Sequence, residues 1–436
     1  MVNRYHLKPL IYFTLGFLCV FPPQSRGQEE VRMKIRSEGL RRIVLAVSPF
    51  SSDRDMGVSD DLRRVVMNDL DLSGFFEVID LTQSDRQGRH DSGSGDERKN
   101  RPENASVLLR GDVDIRGNGI SFKARLEEQS THQKILDKTY EASVSTARSL
   151  GHRIADEVTY YLTGDRGIAN TQIAYVTGDE NTKEIVVMDY DGFGPQRVTS
   201  NRSLNLTPCW SPDGKLIAFT SYASGNPDLC ILRLSDGRTV NLSKQNVLHS
   251  APDWSPDGKH IGLTVTRDGN PDIYTMSIDD REMRRLTFGP AIDSSPSWSP
   301  DGREIAFTSN RSGSPQIYIM DRDGGNVRRL TYEGSYNESP AWSPRGDLIA
   351  FVSREETGFQ IYTVDVNGEN LLRLTDGTGN NENPSWSANG MWLVFASNRT
   401  GSWHVYILSW DGVELHRLTT RGQNESPSWS PRLKYE

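Results

Sequence analysis

The sequence predicts an α+β N-terminal domain, a small mixed sheet with two helices, followed by an all-β six-bladed β-propeller closed by the C-terminal strand. The propeller is predicted from a repeat, because Trp-Ser occurs six times at intervals of 44, 44, 44, 44 and 43 residues. A second marker, an apolar residue followed by Thr or Ser, recurs every 44 residues from Val198-Thr199 to Leu418-Thr419. Periods of about 40–50 residues with short strands and glycine turns are typical of propeller blades. The repeated tryptophans are Trp210, Trp254, Trp298, Trp342, Trp386 and Trp429.

Each repeat predicts a four-stranded antiparallel meander. In the unit of Trp298, a Ser-Pro-Asp-Gly turn precedes the apolar strand Glu304–Ser309, and the alternating strand Gln316–Asp321 follows. Asp323-Gly324 then turns the chain into a last short strand, Val327–Thr331. Asp-Gly between alternating strands is a strong hairpin signal, since Gly accepts positive φ. One such sheet cannot cover both of its faces, so neighbouring units must stack, and the repeated Trp is interpreted as packing between blades.

The two ends of the repeat predict that six blades close into a ring. The apolar second strand occurs six times, and its first copy, Ile173–Thr177, has no Trp-Ser-Pro run before it. The last Trp-Ser-Pro run, Trp429–Pro431, has no strand after it. Both gaps disappear if Glu425–Pro431 forms the innermost strand of the blade begun at Ile173. Closure of this kind leaves only short, protected edges.

Composition divides the chain into a signal peptide at residues 1–27, an N-terminal domain at 28–165 and the propeller at 166–436. The first part combines Arg4 and Lys8 with an apolar stretch and small residues before a predicted cleavage site at Gly27-Gln28, which is typical of a secretory signal. Its removal leaves 47 basic and 58 acidic residues, a net charge of −11. We therefore expect an exported, soluble protein with an acidic surface, and neither nucleic acid nor anionic lipid as its main partner.

The N-terminal domain mixes strand and helix patterns. A helix is predicted from Ser59 or Asp60, with Leu62, Val65, Val66 and Leu70 on one face and Gly74 as its stop. A second helix is predicted from Thr146 to Leu162, with Gly164 as its stop. Residues Thr82–Glu103 contain almost no apolar side chains, which predicts a mobile loop. The predicted strands are Ile43–Val47, Phe75–Ile79, Val107–Ile115, Ser121–Glu128 and Ile135–Ala142.

Polar residues precede each innermost strand and predict the lining of a propeller mouth. The first matched position holds Asn205, His249, Asp293, Asn337, Asn381 and Asn424. The second holds Leu206, Ser250, Ser294, Glu338, Glu382 and Glu425. Because innermost strands converge on the axis, we expect these twelve residues to ring one opening, half of it acidic. Three interpretations stay open: turn residues that cap the hairpins, a docking rim for a protein or peptide, and a site for a hard cation such as calcium.

Sequence motifs for catalysis are absent. There is no Gly-x-Ser-x-Gly, His-Glu-x-x-His, paired-Cys or phosphate-binding glycine motif. Cys209 and Cys230 fall on the first and third strands of one blade, too far apart for a disulfide. We expect a protein with no enzymatic activity and no required cofactor. An exported hydrolase-like or lactonase-like propeller enzyme and a propeller that binds carbohydrate or another ligand are the alternatives.

Several runs of residues resemble the TolB family, the periplasmic component of the Tol–Pal system of Gram-negative bacteria. The similarity includes Val31–Ile35, Ile43–Phe50, Gly151–Val158 with Leu162-Thr-Gly164, and the terminal Pro427–Pro431. It extends over essentially the whole chain after the signal peptide. The propeller repeats alone are less specific, since prolyl-oligopeptidase-type propellers share them.

This resemblance implies a periplasmic, monomeric and non-enzymatic adaptor that supports outer-membrane integrity, cell division and the protein import that exploits this system. It implies that the lipoprotein Pal binds the propeller mouth, and His249 matches a family contact residue before an Ala-Pro. The family's glutamate in the next blade is replaced by Asp293-Ser-Ser295. The resemblance also implies that the C-terminal domain of TolA recruits the N-terminal segment, namely Glu30, Val31, Arg32, Met33, Lys34 and Ile35. Its alternating apolar and basic residues suit strand addition to a sheet edge.

Overall fold

The computed structural model describes residues 42–52, 56–82, 104–243 and 248–435. The predicted signal peptide, the predicted TolA-binding segment and nearly all of the predicted loop after Thr82 lie outside the described residues. In the described part of the chain, no helix combines the length and apolar character that a membrane span requires.

The N-terminal domain contains the mixed sheet that the sequence predicts. Its strand order is β3-β1-β4-β5-β6, with β2 also paired to β4. β1 pairs in parallel with β3 and β4, whereas β4, β5 and β6 are antiparallel. The strands are β1 (Ile43–Val47), β2 (Ser51–Ser52), β3 (Phe76–Asp80), β4 (Val107–Arg116), β5 (Gly119–Glu128) and β6 (Lys134–Ser143).

Two α-helices accompany this sheet, α1 (Met56–Asp71) and α2 (Ala147–Thr163), with a 3-10 turn at Val144–Thr146 before α2. α1 begins three residues before Ser59, the first of the predicted cap residues, and the buried Ser59 hydroxyl donates to the carbonyl of Phe50 at 2.9 Å. α2 ends as predicted at Gly164, which has φ 74° and donates its N–H to the carbonyl of Tyr160. Glycine adopts this left-handed conformation without a steric penalty.

The propeller consists of six four-stranded antiparallel sheets, as the sequence predicts. Blades 1 to 5 are consecutive in the chain, and blade 6 combines β30 with β7–β9. The strands are β7 (Gln172–Gly178), β8 (Lys183–Asp189), β9 (Gln196–Arg197), β10 (Asn205–Trp210), β11 (Leu216–Ser221), β12 (Asp228–Arg233), β13 (Thr239–Asn241), β14 (Leu248–Trp254), β15 (His260–Arg267), β16 (Asn270–Ser277), β17 (Met283–Arg285), β18 (Asp293–Trp298), β19 (Glu304–Ser309), β20 (Gln316–Asp321), β21 (Arg328–Arg329), β22 (Asn337–Trp342), β23 (Leu348–Glu355), β24 (Gly358–Asp365), β25 (Leu372–Arg373), β26 (Asn381–Trp386), β27 (Trp392–Ser397), β28 (His404–Ser409), β29 (Leu415–Arg417) and β30 (Asn424–Trp429).

The C-terminal strand closes the ring. β30 pairs antiparallel with β7, and the register runs from Asn424 opposite Thr177 to Trp429 opposite Ile173. The predicted closure is therefore confirmed. The chain after β30 continues the attachment: the Arg432 side chain donates to the carbonyl of Gly167 at 2.8 Å, and the Tyr435 hydroxyl bonds the Asp156 carboxylate of α2.

The tryptophans pack between blades, as predicted. Trp254 of blade 2 lies in a core cluster with Ala218 and Leu229 of blade 1, and Trp342 of blade 4 packs with Ala306 and Ile317 of blade 3. All six are buried. Burial of such large apolar side chains at every seam makes each blade depend on its neighbours.

The N-terminal domain contacts blade 6 through the turn between β8 and β9. The hydroxyl of Tyr190 donates to Asp69 of α1 at 2.8 Å. Arg148 of α2 donates to Asp189 at 3.0 Å and to Asp191 at 2.6 Å. In an antiparallel meander this turn lies on the face opposite the starts of the innermost strands. The described part of the N-terminal domain therefore packs on the face away from the mouth.

Candidate functional site at the propeller mouth

The six innermost strands begin on one face of the propeller, which we call the mouth face. Each has a bulge two residues after its first matched position, where the pairing register with the second strand shifts. These bulge residues all have positive φ although none is glycine, which is uncommon for residues with a Cβ. They are Thr207, Ala251, Ser295, Ser339, Asn383 and Ser426, with φ between 47° and 56°.

The first-position residues of the predicted ring are buried rather than open to solvent. Asn205, for example, donates to the carbonyl of Lys183 at 2.9 Å and to the carboxylate of Glu184 at 3.0 Å, and it accepts from Ser221 at 2.8 Å. The buried set is Asn205, His249, Asp293, Asn337, Asn381 and Asn424. Any contact between these side chains and a partner would need them to move, so their partner-binding role stays a prediction.

This burial explains the second sequence marker. Asn337 donates to Gln316 at 2.9 Å, and Thr331 donates to the same side-chain oxygen at 2.8 Å while accepting the N–H of Ile317. Asn381, Gln360 and Thr375 repeat the arrangement in the next blade. In blades 3 and 4, the recurring Thr and a Gln of the third strand thus satisfy the Asn of the following blade. Sequence reasoning missed the third-strand residue, although its spacing of 44 residues was available as a signal.

Asp293 differs in charge but not in burial. Its carboxylate accepts two hydrogen bonds from Arg311, both of 3.1 Å. This pair is internal to blade 3, and Asp293 does not contribute an unpaired charge to the opening. The acidic part of the mouth is therefore smaller than the sequence predicts.

Three second-position carboxylates remain at the mouth, and we call Glu338, Glu382 and Glu425 the acidic arc. All three are half-buried and belong to the consecutive blades 4, 5 and 6. Burial raises the pKa of Glu382, and the charges of Glu338 and Glu425 raise it further. The three side chains therefore share one electrostatic environment. The second position is uncharged in blades 1 to 3, where it holds Leu206, Ser250 and Ser294.

The axial channel below the mouth is a cavity of about 380 Å³, lined by the innermost strands. Asp253 is a carboxylate in its wall, and it accepts the backbone N–H of Trp298 at 2.7 Å and the thiol of Cys209 at 3.4 Å. Burial raises the pKa of Asp253 to about 6. Among the residues that the structure describes, no group of three or more His, Cys, Asp or Glu is placed to hold a metal ion. A calcium ion in the channel stays a prediction.

The fold and the mouth define a two-domain β-propeller protein whose mouth face presents half-buried carboxylates. Two family models match the chain: the TolB amino-terminal domain over residues 31–134 and the TolB beta propeller domain over residues 160–433. The chain belongs to the TolB family.

Individual relatives agree with this assignment. The chain is 34% identical over 241 residues to the Tol-Pal system protein TolB of Desulfosudis oleivorans, which covers 53% of this chain and 55% of that protein. It is 39% identical over 213 residues to the protein of the same name from Geobacter sulfurreducens, covering 47% and 49%. The chain thus spans about half the length of these curated relatives.

A solved structure extends the similarity across both domains. The crystal structure of TolB from Acinetobacter baumannii superposes with a TM-score of 0.78 at 29% identity, covering 90% of this chain and 97% of that chain. A chain from the crystal structure of a nidogen/laminin complex has a TM-score of 0.52 at 11% identity, which shows a shared fold alone.

Proposed function

We propose that this chain is a non-enzymatic periplasmic adaptor of a Tol–Pal system, which binds the lipoprotein Pal at its mouth face and TolA through its N-terminal segment. In this role it supports outer-membrane integrity and constriction of the envelope during cell division. The observation that supports the proposal most is the similarity to TolB from Acinetobacter baumannii over both domains. Similarity in the propeller alone would be weaker support, but the TolB amino-terminal domain also matches, at residues 31–134.

The arrangement of the two domains suits an adaptor. The N-terminal domain packs against the β8–β9 turn through Arg148 and Tyr190, on the face away from the mouth. A partner on the mouth face therefore binds away from the described part of the N-terminal domain, and the second partner is proposed for the N-terminal segment, which lies outside the described residues. If either alters the affinity of the other, thermodynamic reciprocity requires the same factor in both directions.

Pal binding is tested with the purified mature chain and the soluble domain of Pal from the same organism, by isothermal titration calorimetry. We expect a one-to-one complex, and we expect His249→Ala to weaken it by at least about 1 kcal/mol if the residue is a hot spot. His249 is buried, so the variant must retain the melting temperature of the wild type before its affinity is interpreted. Absence of binding by the wild type would refute the adaptor role.

TolA binding is tested separately by deleting residues 28–35, which lie outside the described residues. We expect the deletion to abolish binding to the C-terminal domain of TolA and to leave Pal binding intact. Retained TolA binding would show that recruitment uses another part of the chain.

A further inference from the structure

Large apolar side chains are exposed on the mouth face at blades 2 to 4. Leu248 and Ile292 directly precede the first-position residues of blades 2 and 3, and they are 44% and 49% exposed. Phe288 and Tyr332 lie in the loops that lead into blades 3 and 4, and they are 71% and 72% exposed. We call these four residues the apolar arc. Apolar side chains grouped on one face, unlike scattered ones, are typical of an interaction surface.

Two arginines hold the aromatic rings of this arc in place. The guanidinium groups of Arg285 and Arg329 lie 4.9 Å from the ring centroids of Phe288 and Tyr332, respectively. Each arginine also donates to the carbonyl oxygen of the threonine that precedes the ring. Such cation–π contacts restrict the rings while leaving their outer surfaces exposed. Rings held in this way lose little conformational entropy on binding, which favours them as anchors.

The acidic arc contains more negative charge than its neighbours neutralise. Lys183 pairs with Glu425 at 2.5 Å, and the hydroxyl of Tyr336 donates to Glu338 at 2.8 Å. Glu382 has no hydrogen bond or ion pair among the residues that the structure describes. Among the described residues, Lys183 is thus the one cation that forms an ion pair with these three carboxylates. A positive group brought close to Glu382 would relieve the repulsion between them.

Three arginines near the mouth are engaged by side chains of their own blades. Arg311 is bound to Asp293, and Arg399 donates to Asn381 at 3.0 Å. Arg285 donates to Asp272 at 2.6 Å in addition to its contact with Phe288. The two arcs therefore differ in character around the ring. The residues leading into blades 2 to 4 form an apolar surface, and blades 4 to 6 present unbalanced carboxylates.

We propose that the mouth binds a protein surface with an apolar segment flanked on one side by Lys or Arg side chains. The apolar segment contacts Leu248, Ile292, Phe288 and Tyr332, and the cations approach Glu382. This inference rests on the proposed function, because it describes the surface of Pal that would face the mouth. The separation of the apolar arc from the acidic arc also fixes the orientation of the partner. A partner rotated about the propeller axis would place its cations on the apolar arc.

The experiment measures the affinity of the soluble domain of Pal for single variants at low and at physiological ionic strength. Glu382→Lys reverses the charge at the centre of the acidic arc, Glu382→Gln removes it with little change of shape, and Ile292→Asp disrupts the apolar arc. Matched controls lie on the opposite face, where Glu369 and Val327 are exposed in turns between third and fourth strands: Glu369→Lys and Val327→Asp. Melting temperatures verify that each variant is folded.

We expect Glu382→Lys and Ile292→Asp each to weaken binding by at least about tenfold, and both controls to bind as the wild type does. Glu382→Gln should reduce the dependence of affinity on salt, because a screened ion pair has been removed. If the wild type binds Pal but Glu382→Lys and Ile292→Asp bind equally well, the inference is overturned and the proposed function stands. If the wild type does not bind Pal, both are overturned.

Discussion

His152 and Asp69 form a buried pair, in which Nδ1 of His152 lies 2.6 Å from one carboxylate oxygen of Asp69. The pair joins α2 to α1, and the hydroxyl of Tyr190 donates to the other oxygen of the same carboxylate from the propeller. Burial lowers the pKa of His152, but the carboxylates of Asp189 and Asp69 outweigh it and raise the pKa to about 9. The imidazole is therefore protonated at neutral pH and charged at the contact between the two domains.

This pair predicts a loss of stability at alkaline pH. An ordinary histidine has a pKa of 6.5, whereas that of His152 is about 9. Protonation of His152 therefore adds about 3 kcal/mol to the free energy of unfolding below pH 6.5, and this contribution is lost as the pH rises through about 9. Melting temperatures of the wild type and of His152→Gln should differ most at pH 6.5 and converge above pH 9. His132→Gln, at an exposed site, is the control. A difference independent of pH would show that His152 acts through packing alone.

Tyr190→Phe is predicted to weaken the contact between the domains. It removes the propeller's hydrogen bond to Asp69 while keeping the ring, which is fully buried. Loss of a hydrogen bond to a charged, buried group costs about 1.5–3 kcal/mol. We expect a lower melting temperature and faster proteolysis between α2 and β7 than in the wild type. Tyr222→Phe, on an exposed ring, should change neither measurement.

The sequence repeat predicts the propeller, whereas the burial of the mouth residues depends on contacts between blades. Trp429 and Ile173 could be paired from the sequence because each end of the repeat lacked one strand. The burial of Asn337 could not be predicted from the sequence, since an Asn before a strand is equally typical of a solvated turn. Only the folded ring brings Gln316 and Thr331 to its side chain.

The start of α1 shows a second limit of the same kind. Ser59 has the residue type of a helix cap, and its hydroxyl instead bonds the carbonyl of Phe50. A tertiary hydrogen bond thus replaced the local one that the sequence pattern favours. Gly164, by contrast, ends α2 as predicted, because its left-handed φ depends on the local chain alone.

Asp253→Asn is predicted to change stability because the native carboxylate is buried. Burial raises its pKa from the ordinary 3.8 to about 6, so the ionised form at pH 8 costs folding free energy, and this cost is lost progressively as the pH falls from about 6 to 3.8. Asp253→Asn keeps an oxygen for the N–H of Trp298 and should melt above the wild type at about pH 8 and equally at about pH 3.5. Hydrogen bonds lower the pKa of Asp301, so Asp301→Asn should be destabilising at the higher pH. Equal behaviour of the two variants would contradict this account.

Trp429→Ala is predicted to be among the most destabilising changes in the propeller. The indole is buried at the closing seam, and its Nε1 donates to Thr171 at 2.9 Å. Truncation of a buried Trp costs about 3–5 kcal/mol, and here it also leaves the Thr171 hydroxyl without its donor. Chemical unfolding should show a loss at least as large as that of Trp254→Ala. A markedly smaller loss would mean that β30 contributes little to ring stability.

Replacing the left-handed Ala251 at the mouth by glycine is predicted to stabilise the protein. Its φ is 47°, a conformation that costs a residue with a Cβ about 1–2 kcal/mol, whereas glycine adds about 0.4–1 kcal/mol of unfolded-chain entropy. Ala251→Gly should therefore raise the free energy of unfolding by about 0.5–1 kcal/mol. Ala341 also lines the channel but pairs regularly with Ala350, so Ala341→Gly should lower that free energy by about 0.5–1 kcal/mol. Urea unfolding of both variants measures the contrast, and a destabilised Ala251→Gly would mean that contacts of the methyl group outweigh the backbone strain at the bulge.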